Sequence, residues 1–141
     1  MSKLRLVMMG TGPFAVPTFQ SLLESTHDVV ALVTRPTPPA RGRKPAPVSP
    51  MRRAAPPNLP LLDPPDINAE SARRQLADFA ADLLVVCDYG QILSQQTLGL
   101  TPLGGINLHG SLLPKYRGAA PVHRALLQGD TETGVSVIHM T

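Results

Sequence analysis

The stretch from Leu4 to Val33 constrains this chain more than any other. Leu4 to Met9 is an apolar run of strand-forming residues that Gly10 and Gly12 stop abruptly. Pro13 is tolerated in the first turn of a helix, because its missing N–H would find no intrahelical partner there. Phe14, Val16, Phe19, Leu22 and Leu23 then recur at helical spacing up to Ser25. After His27 and Asp28 a second apolar run, Val29 to Val33, begins. Two strands joined through a helix favour parallel pairing with a right-handed crossover. The chain is therefore expected to be an α/β protein.

The remaining pattern repeats this alternation. A helix is predicted over Ala69 to Phe79, with Leu76 and Phe79 on one face and Arg73 and Arg74 on another. A buried strand follows at Leu83 to Cys87, ended by Asp88-Tyr89-Gly90. A short helix at Ser94 to Leu98, a strand at Gly105 to His109, a helix at Val122 to Gln128 and a strand at Val135 to His139 complete the chain. The expected fold is a doubly wound, mostly parallel sheet. At 141 residues the chain can bury one ordinary core, so residues 1–141 are expected to form one domain.

No apolar run approaches the roughly 18 residues of a membrane span. Gly10 to Pro13 also interrupts the first apolar run before a signal peptide would be complete. The single cysteine, Cys87, cannot form an internal disulfide, and no Cys/His cluster suggests zinc. The expectation is a soluble, cytoplasmic protein without a metal or membrane partner, and a monomer. Cys87 is expected to be a buried strand residue.

Charge and proline are unevenly placed. Eleven of the 16 prolines fall between Pro36 and Pro65, so the apolar pattern vanishes from Arg35 to Pro60. Arg35, Arg41, Arg43, Lys44, Arg52 and Arg53 lie in a stretch with no acidic residue before Asp63. Residues 35–60 read as a long basic loop with one helical turn from Pro50. Such a loop is either a solvated linker or a phosphate-contacting segment. No aromatic residue is interleaved from Arg35 to Pro60, so backbone or end recognition is favoured over base stacking.

Two motifs carry candidate chemistry. Gly10-Thr11-Gly12-Pro13-Phe14-Ala15 matches the G-x-G-x-x-A fingerprint between a strand and a helix. The second strand ends in Arg35 where NAD binding would want an acid, which leaves an NADP site or a tight packing turn. The second motif is Asn107-Leu108-His109, where two polar side chains leave the same face at a C-terminal strand end. An amide beside an imidazole can stabilise a developing oxyanion and move a proton. His27, His123 and His139 lack such a setting and are expected to be structural.

These motifs together resemble the N-terminal part of the methionyl-tRNA formyltransferase family. Met9 to Pro17 is similar to its MGT-x-x-FAVP opening, Arg35 to Pro47 to its basic loop, and Asp88 to Leu93 to its YGQIL segment. Asn107 to Pro114 with Tyr116 to Pro121 resembles its signature N-x-H-x-SLLP-x-x-RGAAP. The resemblance implies formyl transfer from 10-formyltetrahydrofolate to the α-amino group of methionine on initiator tRNA, without a metal. Asn107 and His109 would be the catalytic pair, holding the oxyanion through an amide and a protonated imidazole. Gln91, Ile92, Leu93, Ser111, Leu112, Leu113 and Pro114 would line the folate site, and Arg35, Arg41, Arg43 and Lys44 would meet tRNA. The family also uses an aspartate in a D-x-G context beyond the final strand, and the sequence stops at Thr141. The expectation is thus a catalytic domain truncated before its end, without the family's C-terminal β-barrel. Other readings are a formyltransferase acting on glycinamide ribonucleotide or an amino sugar, and a non-catalytic folate- or RNA-binding fragment.

Overall fold

The computed structural model describes residues 2–141. The first strand, β1 (Arg5–Met9), lies inside the sheet with neighbours on both sides. Leu6, Val7, Met8 and Met9 are all buried. Val7 and Met9 join one apolar cluster, while Leu6 and Met8 join the other. Successive side chains leave opposite faces of a strand, so a run without polar alternation is what a strand covered on both faces requires.

A 3-10 turn at Pro13–Ala15 leads into α1 (Val16–Leu23). The sequence pattern suggested one continuous helix from Pro13. The first turn is tighter because the Ala15 N–H donates to the Gly12 carbonyl at 3.3 Å. Phe19 of α1 is fully buried against Leu6, Met8 and Leu32. The following strand, β2 (Asp28–Val33), pairs parallel with β1.

The basic loop has one anchor. Ser49 caps α2 (Pro50–Ala54) by accepting the Arg52 N–H at 3.2 Å, and Met51 is fully buried beside Phe19. After it comes β3 (Leu61–Leu62), parallel to Leu32 and Val33 of β2. A strand of two residues carries no periodicity, so the sequence showed nothing there. The guanidinium of Arg52 pairs with Asp63 and fastens α2 to the end of β3.

The second half contains α3 (Glu70–Ala77), β4 (Leu83–Val86), α4 (Gln95–Leu98), β5 (Gly105–His109), α5 (Pro121–Leu127) and β6 (Ser136–Met140). The six-stranded sheet has the order β3-β2-β1-β4-β5-β6. Five strands are parallel, and β6 runs antiparallel to β5 with Ser136 opposite His109. Strand order reverses between β1 and β4. Open α/β sheets leave a crevice outside the carboxyl ends of the strands at such a reversal.

Candidate active site at the carboxyl ends of the strands

Thr11, just past β1, stitches that crevice together. Its N–H donates to the Asp88 carbonyl at 2.9 Å and its hydroxyl to the Tyr89 carbonyl at 2.9 Å. The Thr11 hydroxyl also accepts the Arg35 N–H at 3.1 Å, so the ends of β1, β2 and β4 meet at one side chain. Gly10 and Gly12 permit this closeness. A Cβ on Gly10 would fall 2.7 Å from the Cys87 carbonyl, and one on Gly12 would fall 1.9 Å from Asp88 Oδ2.

The carboxylate of Asp88 lies against Gly12, just ahead of the helical segment. Burial raises its pKa above the ordinary value, and the nearby Phe14 backbone partly offsets that. A dinucleotide pyrophosphate would need the same place beside the glycine turn. The protein has filled it with its own anion, so this turn serves packing and the crevice wall.

On β5, Asn107 and His109 line two cavities at once. The larger, about 680 Å³, is bounded by Leu113, Pro114, Arg117, Gly118 and Ile138. The smaller, about 350 Å³, is bounded by Phe14, Asp88, the Gly118 to Pro121 segment and His123. The imidazole Nε2 of His109 lies 2.8 Å from the Tyr116 carbonyl oxygen. A carbonyl only accepts, so Nε2 carries the hydrogen and Nδ1 is left as the nitrogen able to take a proton.

Tyr116 is held firmly for this purpose. Its φ of 55° is left-handed, and its hydroxyl donates to Asp130 at 2.7 Å. Lys115 reaches the same carboxylate at 3.3 Å, and the Arg124 guanidinium lies 5.3 Å from the Tyr116 ring centroid. The Tyr116 hydrogen bond, then Lys115, lowers the Asp130 pKa, and the same hydrogen bond raises that of Tyr116.

The segments expected to hold folate are placed unevenly. Leu113 and Pro114, joined by a cis peptide bond, line the larger cavity with Asn107 and His109. Ser111 is fully buried, its hydroxyl donating to the Lys115 carbonyl at 2.7 Å and its carbonyl accepting from Ser136 at 2.8 Å. Leu112 lies against Gly134. Gln91 accepts the Ile67 N–H at 2.9 Å and donates to the Pro64 carbonyl at 3.1 Å. Ile92 is 89% exposed, whereas Leu93 packs in the core. These last three lie off the larger cavity.

Arg41, Arg43 and Lys44 are exposed on the loop, whereas the Arg35 side chain lies against Gly90 beside the crevice. The imidazole of His27 accepts the Leu4 N–H at 3.2 Å, and His139 bonds to the Leu103 carbonyl at 3.1 Å. His123, expected only to pack, lines the smaller cavity. Asp88, Arg117 and Ile138 were not singled out from the sequence, since only the fold brings them beside β5. Cys87 is buried, and loss of hydration with the nearby Asp88 charge pushes its thiol up to about 11. Among the described residues, no group of three or more His, Cys, Asp or Glu side chains is placed to hold a metal ion, and no helix is long and apolar enough to cross a membrane.

Fold and site together define an α/β domain that places an amide and a tautomer-fixed imidazole between two ligand-sized cavities. The formyl transferase sequence pattern matches residues 3–141, and the chain belongs to that family. It is 57% identical over 98% of its length to the methionyl-tRNA formyltransferase of Rhodopirellula baltica. It is 48% identical over 97% of its length to the one of Pseudomonas fluorescens. The chain spans 43% and 44% of those two curated relatives, less than half of each. Among solved structures, glycinamide ribonucleotide transformylase 1 from Geobacillus kaustophilus superposes with a TM-score of 0.73 at 24% identity, covering 98% of this chain and 74% of that one. A formyltetrahydrofolate deformylase from Pseudomonas syringae pv. tomato gives 0.73 at 23% identity, covering 99% and 47%. Both share the fold.

Proposed function

We propose that this chain carries the site at which a formyl group passes from 10-formyltetrahydrofolate to the α-amino group of methionyl initiator tRNA, in a cytoplasmic step of translation initiation. The carrying observation is that Asn107 and His109 border both cavities, as a two-substrate transfer requires.

The larger cavity fits the donor. It sets an apolar wall of Leu113, Pro114 and Ile138 beside the two polar side chains, which suits a flat heteroaromatic group. Gln91, Ile92 and Leu93 extend the donor site through the backbone of the loop after β4. When bound, the folate supplies a formyl carbonyl attached to nitrogen. Asn107 donates an amide N–H toward the oxygen on which charge builds. His109, anchored through Nε2 on Tyr116, has Nδ1 available to take a proton and, once protonated, to donate it.

The acceptor assignment rests on the relatives' names and on the basic loop. Arg41, Arg43 and Lys44 are exposed, and a phosphate backbone is the partner that an exposed cationic loop without aromatic residues would recognise.

The test is formylation of methionyl initiator tRNA by the intact protein. Replacing an oxyanion-stabilising donor costs about 10²–10³ in kcat. Asn107→Ala and His109→Ala are expected to show losses of about that size. Turnover near the unmodified rate in either variant would defeat the assignment.

A further inference from the structure

We propose that Asp88 receives the acceptor's amine as an ammonium ion, within the smaller cavity that Asn107 and His109 also line. This rests on the reading that an amine is formylated here, and it names the residue that recognises the amine.

Asp88 supplies the sole carboxylate among the side chains bounding that cavity. The other ionisable side chains there are the imidazoles of His109 and His123. Asp88 also has no cationic side chain within ion-pair distance among the described residues. Its carboxylate borders the cavity without a paired cation, so an arriving ammonium would gain a charge-assisted hydrogen bond there.

The backbone of Asp88 is held in place. Its φ of 50° is left-handed, a conformation that a side-chain-bearing residue keeps only when its surroundings impose it. Thr11 and Gly12 impose it by both donating their N–H groups to the Asp88 carbonyl, at 2.9 and 3.3 Å. The absent Gly12 side chain leaves room for the carboxylate. A carboxylate has about four lone-pair directions, so acceptors remain for an ammonium donor. An α-amine titrates close to neutral pH, so its ammonium form is available, and the N–H donors of that form match the carboxylate acceptors in charge and geometry.

The probe is methionine methyl ester, which carries the free amine, compared with N-acetylmethionine methyl ester, which does not. Both are titrated into the intact protein and its Asp88→Asn variant, with binding read by NMR. The variant keeps the size of the side chain and one carbonyl oxygen while removing its charge. We expect the ester to bind about tenfold more weakly to the variant and the acetylated ester to bind both proteins alike. Should the variant fail to fold, the unmodified protein decides: ester binding weakens with added salt and shifts the Asp88 carboxyl carbon resonance. Equal ester affinity in the two proteins, an unmoved Asp88 resonance, or no saturable ester binding to the unmodified protein overturns the inference. Formylation of methionyl tRNA is assayed separately. An active enzyme indifferent to Asp88→Asn overturns this inference alone, whereas Asp88-dependent ester binding without formylation overturns the transfer reading alone.

Discussion

The Nε2 of His109 is 2.8 Å from the backbone oxygen of Tyr116, and that contact assigns the two ring nitrogens different tasks. Tyr116 reaches this position through its hydroxyl bond to Asp130. Removing that hydroxyl with Tyr116→Phe should loosen the carbonyl without deleting the imidazole. A hydrogen bond contributes about 0.5–1.5 kcal/mol, so kcat should fall by up to about tenfold with donor affinity unchanged. Nitrogen NMR of His109 should show a smaller share of the Nε2–H tautomer. An unchanged tautomer ratio would break the link.

Reversing the loop charges with Arg41→Glu, Arg43→Glu and Lys44→Glu should leave stability unaltered, because these side chains are exposed. Binding of tRNA should weaken, and its dependence on salt should become shallower by about one unit of slope for each phosphate no longer neutralised. An unchanged slope, with formylation intact, would instead favour a small amine as acceptor.

Gly12→Ala should be destabilising, because its new Cβ would sit 1.9 Å from Asp88 Oδ2. The clashing atoms belong to the end of an exposed side chain that can swing aside, so the cost should lie at the low end of overpacking, about 1 kcal/mol. The cost should shrink when Asp88→Ala accompanies it, a coupling that chemical denaturation of both single variants and the pair would measure. The same crowding leads us to expect a flat titration with NADPH.

The Cys87 thiol bears on alkaline stability. Its folded pKa of about 11 exceeds the ordinary 9.0, so the folded state holds its proton more tightly than the unfolded chain does. Stability should therefore fall as pH rises from about 9 to about 11, by up to about 3 kcal/mol from this group. A Cys87→Ala variant should lose stability less steeply across that window. At pH 8 the native thiol should resist iodoacetamide and react once the chain is unfolded.

The unbroken apolar runs of β1, β2 and β4, cut by glycine, Thr-Arg-Pro and Asp-Tyr-Gly in turn, made the parallel α/β fold legible in the sequence, because strands covered on both faces lose their polar alternation. Asn107 and His109 were legible too, since two residues apart on a strand always share a face. Tertiary structure decided everything that depends on long-range closure. Leu61 and Leu62 are a strand only because β2 offers an open edge. The antiparallel sense of β6 follows from its pairing with β5. The Gly10 to Gly12 turn read mainly as a packing turn with an NADP site as the alternative, and only the fold sets Asp88, just past β4, against it. Local spacing fixes which way a side chain leaves its strand, but what it meets is set by sheet order, and strand contacts between distant residues leave no periodic trace in the chain.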